Sequence, residues 1–302
     1  MSSIPAQGRI RIGSAPVSWG VWFAEDPRQV PWPRFLDEVA RAGYEWIELG
    51  PYGYLPTDTA RLSRELLGRG LHLCAGTVFT SLHHGPAAWD HAWEQVRPVA
   101  ECARAVGARY LVDVPALWRD DKTGQIVEAR QLTTEQWRNL TSGSEWLGRR
   151  VRDIYGLQLV VHPHADTHLD TPASVRRFLD DTDADSVGLC LDTGHYAYGG
   201  GDALDLIKTD GDRIGYLHLK QVDPVVLTEV IENDVPFGTA VQRGVMCEPP
   251  TGLPALEPVL TAARSLGSEV FAIVEQDMYP CTPTRPLPIA QRTLAVLRSF
   301  IE

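Results

Sequence analysis

The sequence predicts an α/β fold, a single (β/α)8 barrel that takes in residues 1–302. Eight short apolar runs, each of a length suited to a buried strand, recur along the whole chain. Segments with apolar residues at helical spacing lie between these runs. A chain of 302 residues also has the size of eight strand–helix units, for which about 250 residues are typical.

The predicted strands follow one another at intervals that leave room for a helix. The first four are "RIRIGSA" near Ile12, "WIELG" near Ile47, "LHLCAGT" near Leu73 and "RYLVDV" near Val112. The other four are "LQLVVH" ending at His162, "SVGLCLD" ending at Asp192, "IGYLHLK" around Leu217 and "EVFAIVE" ending at Glu275. Their regular alternation with helical segments favours a parallel sheet with helices outside it.

The intervening segments carry helix signals. In "PWPRFLDEVARAGY", Phe35, Leu36, Val39 and Ala40 fall at helical spacing, and Gly43 marks a C-terminal stop. The segments "DTARLSRELLGRG" and "AWEQVRPVAECARAVGA" repeat this layout. The long stretch "QVDPVVLTEVIENDVPFGTAVQRGVMCEPPTGLP", between the seventh and eighth predicted strands, is expected to be an irregular loop over the barrel mouth.

An open, doubly wound sheet is the alternative architecture. It is disfavoured because no GxGxxG follows the first predicted strand. The stretch "GSAPVSWG" at that position has a different spacing, and it carries a proline where a phosphate-binding loop needs free amides.

Composition limits the partners that the protein is expected to have. A net charge of −11 opposes non-specific attraction to nucleic acid and to anionic membranes. The N-terminal "MSSIPAQGRIRIG" lacks the apolar stretch of a signal peptide, and no segment approaches the ~18–20 apolar residues of a membrane span. We therefore expect a cytoplasmic protein with a small-molecule partner, without nucleic acid or membrane binding, and leave a homo-oligomer open.

Polar residues concentrate at the C-terminal ends of the last four predicted strands, where the active sites of such barrels lie. They are His162 and His164, Asp192 and His195, His218 and Lys220, and Glu275 and Asp277. Four consecutive strands that each end in a possible ligand predict a metal site. Imidazole and carboxylate ligands without a thiolate suit Mn²⁺ or Co²⁺, with Mg²⁺ or Zn²⁺ as alternatives.

Other residues near strand ends are candidate substrate contacts or loop residues. Trp19 follows the first predicted strand in "APVSWG", where a flat aromatic wall would suit a sugar or cyclitol ring, with simple packing as the alternative. Glu48, at the end of the second predicted strand, and Lys220 are also expected to bind substrate. His83 and His84 in "TSLHHGP" and His168 in "VVHPHADTHLDT" are expected in solvated loops.

These motifs together resemble the xylose isomerase-like TIM barrels, the superfamily of sugar isomerases, epimerases and endonuclease IV, and within it the inosose dehydratases. The likeness runs nearly end to end, through "APVSWG", "HPHADTHLDT", "LDTGH" with "YGGGD", "RIGYLHLK" and "VEQD". It implies Asp192, His218 and Glu275 as metal ligands. Where the superfamily has a glutamate on the fifth strand, this chain has His162, so that the fourth ligand is His162, His164 or Asp170.

The resemblance implies a lyase of inositol or related sugar catabolism, a metal-dependent dehydratase that acts on a keto-cyclitol through an enediolate. Glu275 is then a ligand or a base, His164 or His195 moves the proton, and Lys220 supports the enolate or acts as an acid. A sugar isomerase or epimerase would use the same site. A more distant alternative is an endonuclease IV-like phosphodiesterase, which the acidic charge balance disfavours.

Overall fold

A computed structural model of the chain, which describes residues 8–301, contains a closed barrel of parallel strands. Residues 1–7 and 302, at the two ends of the predicted domain, lie outside the described residues. Residues 1–7 also belong to the N-terminal stretch that is expected to lack a signal peptide. Within residues 8–301 the strands are β1 (Ile10–Ser14), β2 (Trp46–Glu48), β3 (His72–Thr80), β4 (Tyr110–Pro115), β5 (Gln158–Val161), β6 (Gly188–Asp192), β7 (Ile214–Leu219), β8 (Gln221–Val222), β9 (Met246–Cys247) and β10 (Val270–Val274).

The barrel contains β1 to β7 and β10, so β10 is its eighth strand. Closure is direct, because β1 pairs with β2 on one side and with β10 on the other, both in parallel. Ser14 is opposite Val274 in this register. All eight predicted strands are confirmed, and the open sheet is excluded because its edge strands would have a neighbour on one side only.

The helices follow the predicted alternation. They are α1 (Trp32–Ala42), α2 (Thr59–Leu67), α3 (Pro86–Ala105), α4 (Thr134–Tyr155), α5 (Pro172–Asp180), α6 (Thr193–Tyr198), α7 (Ala203–Asp210), α8 (Pro224–Glu232), α9 (Phe237–Gln242), α10 (Leu256–Ser265) and α11 (Pro286–Ile301). The stop predicted at Gly43 is confirmed, since this glycine has φ = 99° and caps α1 in the left-handed conformation that other residues rarely adopt.

The inside of the barrel is apolar at its floor and polar at its mouth. Tyr216 and Phe271 are fully buried and pack with Val112, Val160 and Ile273 in one cluster inside the barrel. Because these side chains fill the interior, a small molecule can enter only above them, at the C-terminal ends of the strands. A larger cluster packs between the barrel and its helices.

The connection between β7 and β10 differs from the irregular loop expected there. It contains α8 and α9, and β8 pairs with β9 as a short antiparallel ladder. An apolar cluster that includes Val222, Val230, Phe237 and Val245 holds these pieces against Ala165 in the loop after β5. These helices were not predicted because each is shorter than three turns and Pro236 separates them. Neither is long enough to show a regular helical spacing of apolar residues. The expected place over the barrel mouth is confirmed, since Phe237 lines the cavity there.

Among the helices of residues 8–301, none combines the length and the hydropathy that crossing a bilayer would require.

Candidate active site

The barrel mouth contains a cavity of about 630 Å³ whose floor is polar and whose walls are apolar. The strands β5, β7 and β10 bring side chains to its floor, among them His162, His218 and Glu275. The apolar walls come from the ends of β3 and β4, from loops and from α9, and they are formed by Trp22, Phe23, Phe79, Val114, Val127 and Phe237. Such a site can bind a ring with a hydrophobic face and position its polar groups at the floor.

Four predicted ligands converge at this floor. His162, Asp192, His218 and Glu275 each offer one ligand atom, and these four atoms lie within 4.8 Å of one another. All four residues are buried. Nε2 of His162 lies 3.3 Å from Oδ2 of Asp192, and Nδ1 of His218 lies 3.3 Å from Oε2 of Glu275. This arrangement is suited to a divalent cation with mixed nitrogen and oxygen ligands.

An unpaired nitrogen atom of His218 also fits a cation. Nδ1 of His218 is buried and has no hydrogen-bond partner among the described residues, although it faces the carboxylates of Asp192 and Glu275. Its other nitrogen, Nε2, lies 2.7 Å from Oε1 of Glu48, which also accepts a hydrogen bond from Tyr216. A carboxylate behind an imidazole is the usual arrangement that orients a metal-binding histidine.

Asp192 is positioned by the turn that begins α6. Its Oδ1 accepts hydrogen bonds from the backbone N–H groups of Gly194 and His195, both at 2.8 Å, which directs Oδ2 into the cluster. Gly194 allows the close approach of the residue that follows β7, because a Cβ at this position would lie 2.7 Å from Cγ of Lys220. Burial alone would raise the pKa of Asp192, but the charge of Lys220 holds that pKa well below its usual value.

Lys220 places a buried ammonium group beside the four possible ligands. Its Nζ lies 2.8 Å from Asp277, 3.0 Å from Glu275 and 3.3 Å from Asp192. Burial lowers the pKa of Lys220, but these three carboxylates outweigh it and raise the pKa well above the ordinary value. The side chain is therefore a charged acid with three competing acceptors, and it can donate to a group that enters the cavity.

His164 and His195 are close together, but only His164 has a ring nitrogen free to accept a proton from a substrate. Nδ1 of His164 lies 2.7 Å from the carbonyl oxygen of Ala165, so it carries the hydrogen, and Nε2 keeps a lone pair without a protein partner among the described residues. Burial, followed by the nearby His162 ring and the charge of Lys220, lowers the pKa of His164 to about 3 and keeps it neutral.

His195 has no lone pair to spare. Burial is the main reason that the pKa of His195 is well below its usual value, so the ring is neutral and has one lone pair. The backbone N–H of Ala165 approaches Nδ1 at 3.2 Å, and the ammonium of Lys220 approaches Nε2 at 3.2 Å. Either donor uses the lone pair, so His195 has none for a substrate.

Two residues expected at the substrate or the metal lie elsewhere in the structure. Trp19 is fully buried, donates from Nε1 to Glu38 of α1 and packs against Phe35, so it does not form a wall of the cavity. The turn after β1 directs it to the helical layer, and Trp22 lines the cavity instead. The alternative ligand Asp170 is paired with Trp118 and Arg130 rather than with the cluster.

Glu48 lines the cavity as expected, but its carboxylate is already bound by His218 and Tyr216. His83 and His168, expected in solvated loops, are buried, whereas His84 is half exposed. Sequence reasoning also missed the cavity walls Trp22 and Phe237, which belong to connections of variable form and carry no repeating pattern.

The comparison with protein families agrees with this geometry. The model of the xylose isomerase-like TIM barrel family matches residues 36–300. The chain belongs to this family. The resemblance predicted from the motifs is therefore confirmed, and the match includes seven of the eight barrel strands and all four possible metal ligands.

Individual relatives cover nearly the whole chain. An inosose dehydratase of Lacticaseibacillus casei is 28% identical over 288 residues, with 90% of this chain and 91% of the relative covered. The rhizopine catabolism protein MocC of Rhizobium meliloti is 30% identical over 291 residues, with 93% and 86% covered. The crystal structure of IOLI protein with a bound zinc atom has a TM-score of 0.69 at 17% identity, with 96% of this chain and 98% of that chain covered.

Proposed function

We propose that this member of the xylose isomerase-like family is a hydro-lyase that removes water from a keto-cyclitol such as 2-keto-myo-inositol. The observation that carries the proposal is the buried cluster of His162, Asp192, His218 and Glu275 at the floor of a cavity with apolar walls. The enzyme class is that of a lyase, since inosose dehydratases match 90% of the chain.

The four clustered residues would hold a divalent ion, with Mn²⁺ or Co²⁺ proposed first. When bound there, such an ion would act as a Lewis acid that polarises the ketone of the substrate and lowers the cost of forming an enediolate. The donor set supports this, because the buried Nδ1 of His218 has no hydrogen-bond partner among the described residues and faces two carboxylates.

His164 is the proposed general base. The reaction needs a group that takes the proton from the carbon next to the ketone, and Nε2 of His164 is an unprotonated nitrogen at the edge of the cavity. His195 is a weaker candidate because its single lone pair is used by Ala165 or by Lys220.

Lys220 is the proposed general acid. After the proton moves to His164, the electrons of the C–H bond form the double bond and the β-hydroxyl leaves with a proton from the ammonium of Lys220. Asp277, at 2.8 Å from Nζ, would hold the ammonium toward the substrate. One proton is taken and one is given, so the products are the dehydrated ketone and water. The walls, which include Phe237, would limit competing attack by solvent.

A substrate assay in heavy water tests the proposal. Purified protein is incubated with 2-keto-myo-inositol and Mn²⁺ or Co²⁺, and the products are followed by NMR and mass spectrometry, with Asp192→Asn as the control variant. Loss of one water from the substrate, absent in the variant, is the expected result. Exchange of a carbon-bound proton for deuterium without loss of water would instead indicate an isomerase or epimerase, and no change to any keto-inositol would refute both.

A further inference from the structure

A second group of possible ligands lies beside the cavity and has no role in the proposed reaction. Three histidines direct Nε2 at the carboxylate of Glu128, and we refer to these residues as the Glu128 cluster: His83, His84, Glu128 and His168. They come from three separate segments, which are the turn after β3, the loop between β4 and α4, and the loop after β5. Residues that are distant in the sequence thus share one carboxylate.

The contacts in the cluster are short. Nε2 of His83 lies 2.9 Å and 3.0 Å from the two carboxylate oxygens of Glu128. Nε2 of His168 lies 3.3 Å from Oε1, and Nε2 of His84 lies 3.0 Å from Oε2. The ligand atoms of His83, Glu128 and His168 all lie within 4.8 Å of one another. Around tetrahedral zinc, neighbouring ligand atoms are about 3.3 Å apart, given Zn–N and Zn–O distances near 2.05 Å.

The hydrogen bond of His168 to the backbone leaves an unfavourable contact with Glu128 when the ring is neutral. Its Nδ1 lies 2.9 Å from the carbonyl oxygen of Arg130, and a carbonyl can only accept, so Nδ1 carries a hydrogen. In a neutral ring Nε2 then has a lone pair, and this lone pair faces a carboxylate oxygen of Glu128. A cation between the two atoms would remove the repulsion, and a carbonyl bound to the other nitrogen is the common support of a metal-binding histidine.

Burial increases the effect of this contact. His83 and His168 have side chains only 1% exposed, and that of Glu128 is 20% exposed, so water screens the cluster poorly. Burial also lowers the pKa of His83, which favours the neutral form that can bind a metal. The half-exposed His84, or a water molecule in its place, can complete four-fold coordination.

We propose that His83, Glu128 and His168 form a second metal site, for a divalent ion of the zinc type, that fastens the loop between β4 and α4 to the loop after β5. Two imidazoles and one carboxylate suit Zn²⁺. Glu128 follows Val127, which lines the cavity, and His168 lies four residues beyond His164. The ion would therefore stabilise a cavity wall and the loop that carries the proposed base.

Metal stoichiometry tests the proposal on the full chain. Protein is stripped with a chelator and dialysed against buffered Zn²⁺, and bound zinc is measured by elemental mass spectrometry. One variant, His168→Asn, keeps an N–H that can bond the carbonyl of Arg130 but loses the ligand nitrogen. A second variant, Glu128→Gln, removes the charge at the centre, and His91→Asn, on the exposed face of α3, is the matched control.

We expect His168→Asn and Glu128→Gln each to bind one ion fewer per chain than the wild type, and His91→Asn to bind as many. A variant with the other cluster disabled, Asp192→Asn with His218→Asn, should retain one ion, and should lose it when His168→Asn is added. The second site does not exist if Asp192→Asn with His218→Asn binds no ion. It also does not exist if His168→Asn and Glu128→Gln both bind as many ions as the wild type. This result would leave the proposed reaction at the first cluster untouched.

The rate at which trypsin cleaves the loop between β4 and α4 is a second test, which reports on the structure of the loop and not on the number of bound ions. Lys122 is exposed in the loop between β4 and α4, so trypsin can reach the bond after it. Zn²⁺ should slow cleavage there in the wild type and in Asp192→Asn with His218→Asn, but not in His168→Asn. Equal cleavage rates with and without Zn²⁺ in the wild type would contradict the proposed fastening of this loop.

Discussion

Nε2 of His218 lies 2.7 Å from Oε1 of Glu48, and this contact decides which nitrogen of the ring faces the cavity. Because the carboxylate occupies one side of the imidazole, Nδ1 is directed toward Asp192 and Glu275. Glu48 is therefore a positioning residue that acts through His218, although the sequence suggests a substrate contact.

Replacing Glu48 with Gln should weaken metal binding while the fold is kept. The amide of glutamine lacks the negative charge with which Glu48 holds the imidazole. Residues that hydrogen-bond to a metal-binding histidine typically contribute about 10- to 100-fold to metal affinity. Competition with a fluorescent chelator measures the affinity. Tyr216→Phe, which removes the second hydrogen bond to Glu48 together with a contact to Cys74, should have a smaller effect. An unchanged affinity in Glu48→Gln would contradict the positioning role.

His164→Asn should lower kcat by roughly 10²- to 10⁴-fold and leave the metal content unchanged. Asparagine can still donate to the carbonyl oxygen of Ala165, but it offers no basic nitrogen to the substrate. The corresponding change His195→Asn should have a smaller effect on kcat, since the lone pair of that ring is already used. The opposite order of the two effects would identify His195 as the base.

Lys220→Met should have opposite effects on metal binding and on turnover. The ammonium lies 3.0 Å and 3.3 Å from the carboxylates of Glu275 and Asp192, so it repels a divalent ion at the same place. Its removal should raise metal affinity, whereas loss of the proposed acid should lower kcat. Calorimetric titration and steady-state kinetics on the same preparation measure both. A fall in metal affinity would show that Lys220 orders the carboxylates instead.

Asp113 should make the protein less stable as the pH rises. It is buried in β4 beside Thr80, and burial raises its pKa to about 7 from 3.8. Since the folded state holds this proton more tightly, the stabilisation is complete below about pH 4 and is lost as the pH approaches 7. The loss is about 1.4 kcal/mol per pH unit, on the order of 4 kcal/mol in total.

The variant Asp113→Asn isolates this effect, because asparagine resembles the protonated acid and does not titrate. Its free energy of unfolding in urea should exceed that of the wild type by an amount that grows between about pH 4 and about pH 7 and then stays constant. Groups common to both proteins cancel in this difference. A difference that does not change with pH would mean that Asp113 is not protonated in the folded state.

The barrel could be predicted from sequence because its signals are local. Each strand is a short apolar run, and the ligands stand at the ends of such runs, as Asp192 does in "GLCLD". In a (β/α)8 barrel the C-terminal ends of all strands lie at one face. The convergence of His162, Asp192, His218 and Glu275 therefore follows from the topology.

Side-chain direction in the loops could not be predicted in this way. Trp19 and Trp22 stand in the same short stretch after β1, and only the three-dimensional course of the turn sends one to the helices and the other to the cavity. The Glu128 cluster depends on a contact across 45 residues, between His83 and Glu128. Local patterns carry no information about such pairs, since neither residue has a fixed position relative to a strand end.

The division of the site between strands and connections has a consequence for how the enzyme could change. The possible metal ligands lie on or next to strands of a closed barrel, whereas Phe237 comes from α9 and Val127 from the loop after β4. Arg119 pairs with Asp166 and Asp234 and so joins three connections through one side chain. Substitutions in those connections could admit a different ring while the proton-transfer groups keep their places, so new substrates need not require new chemistry.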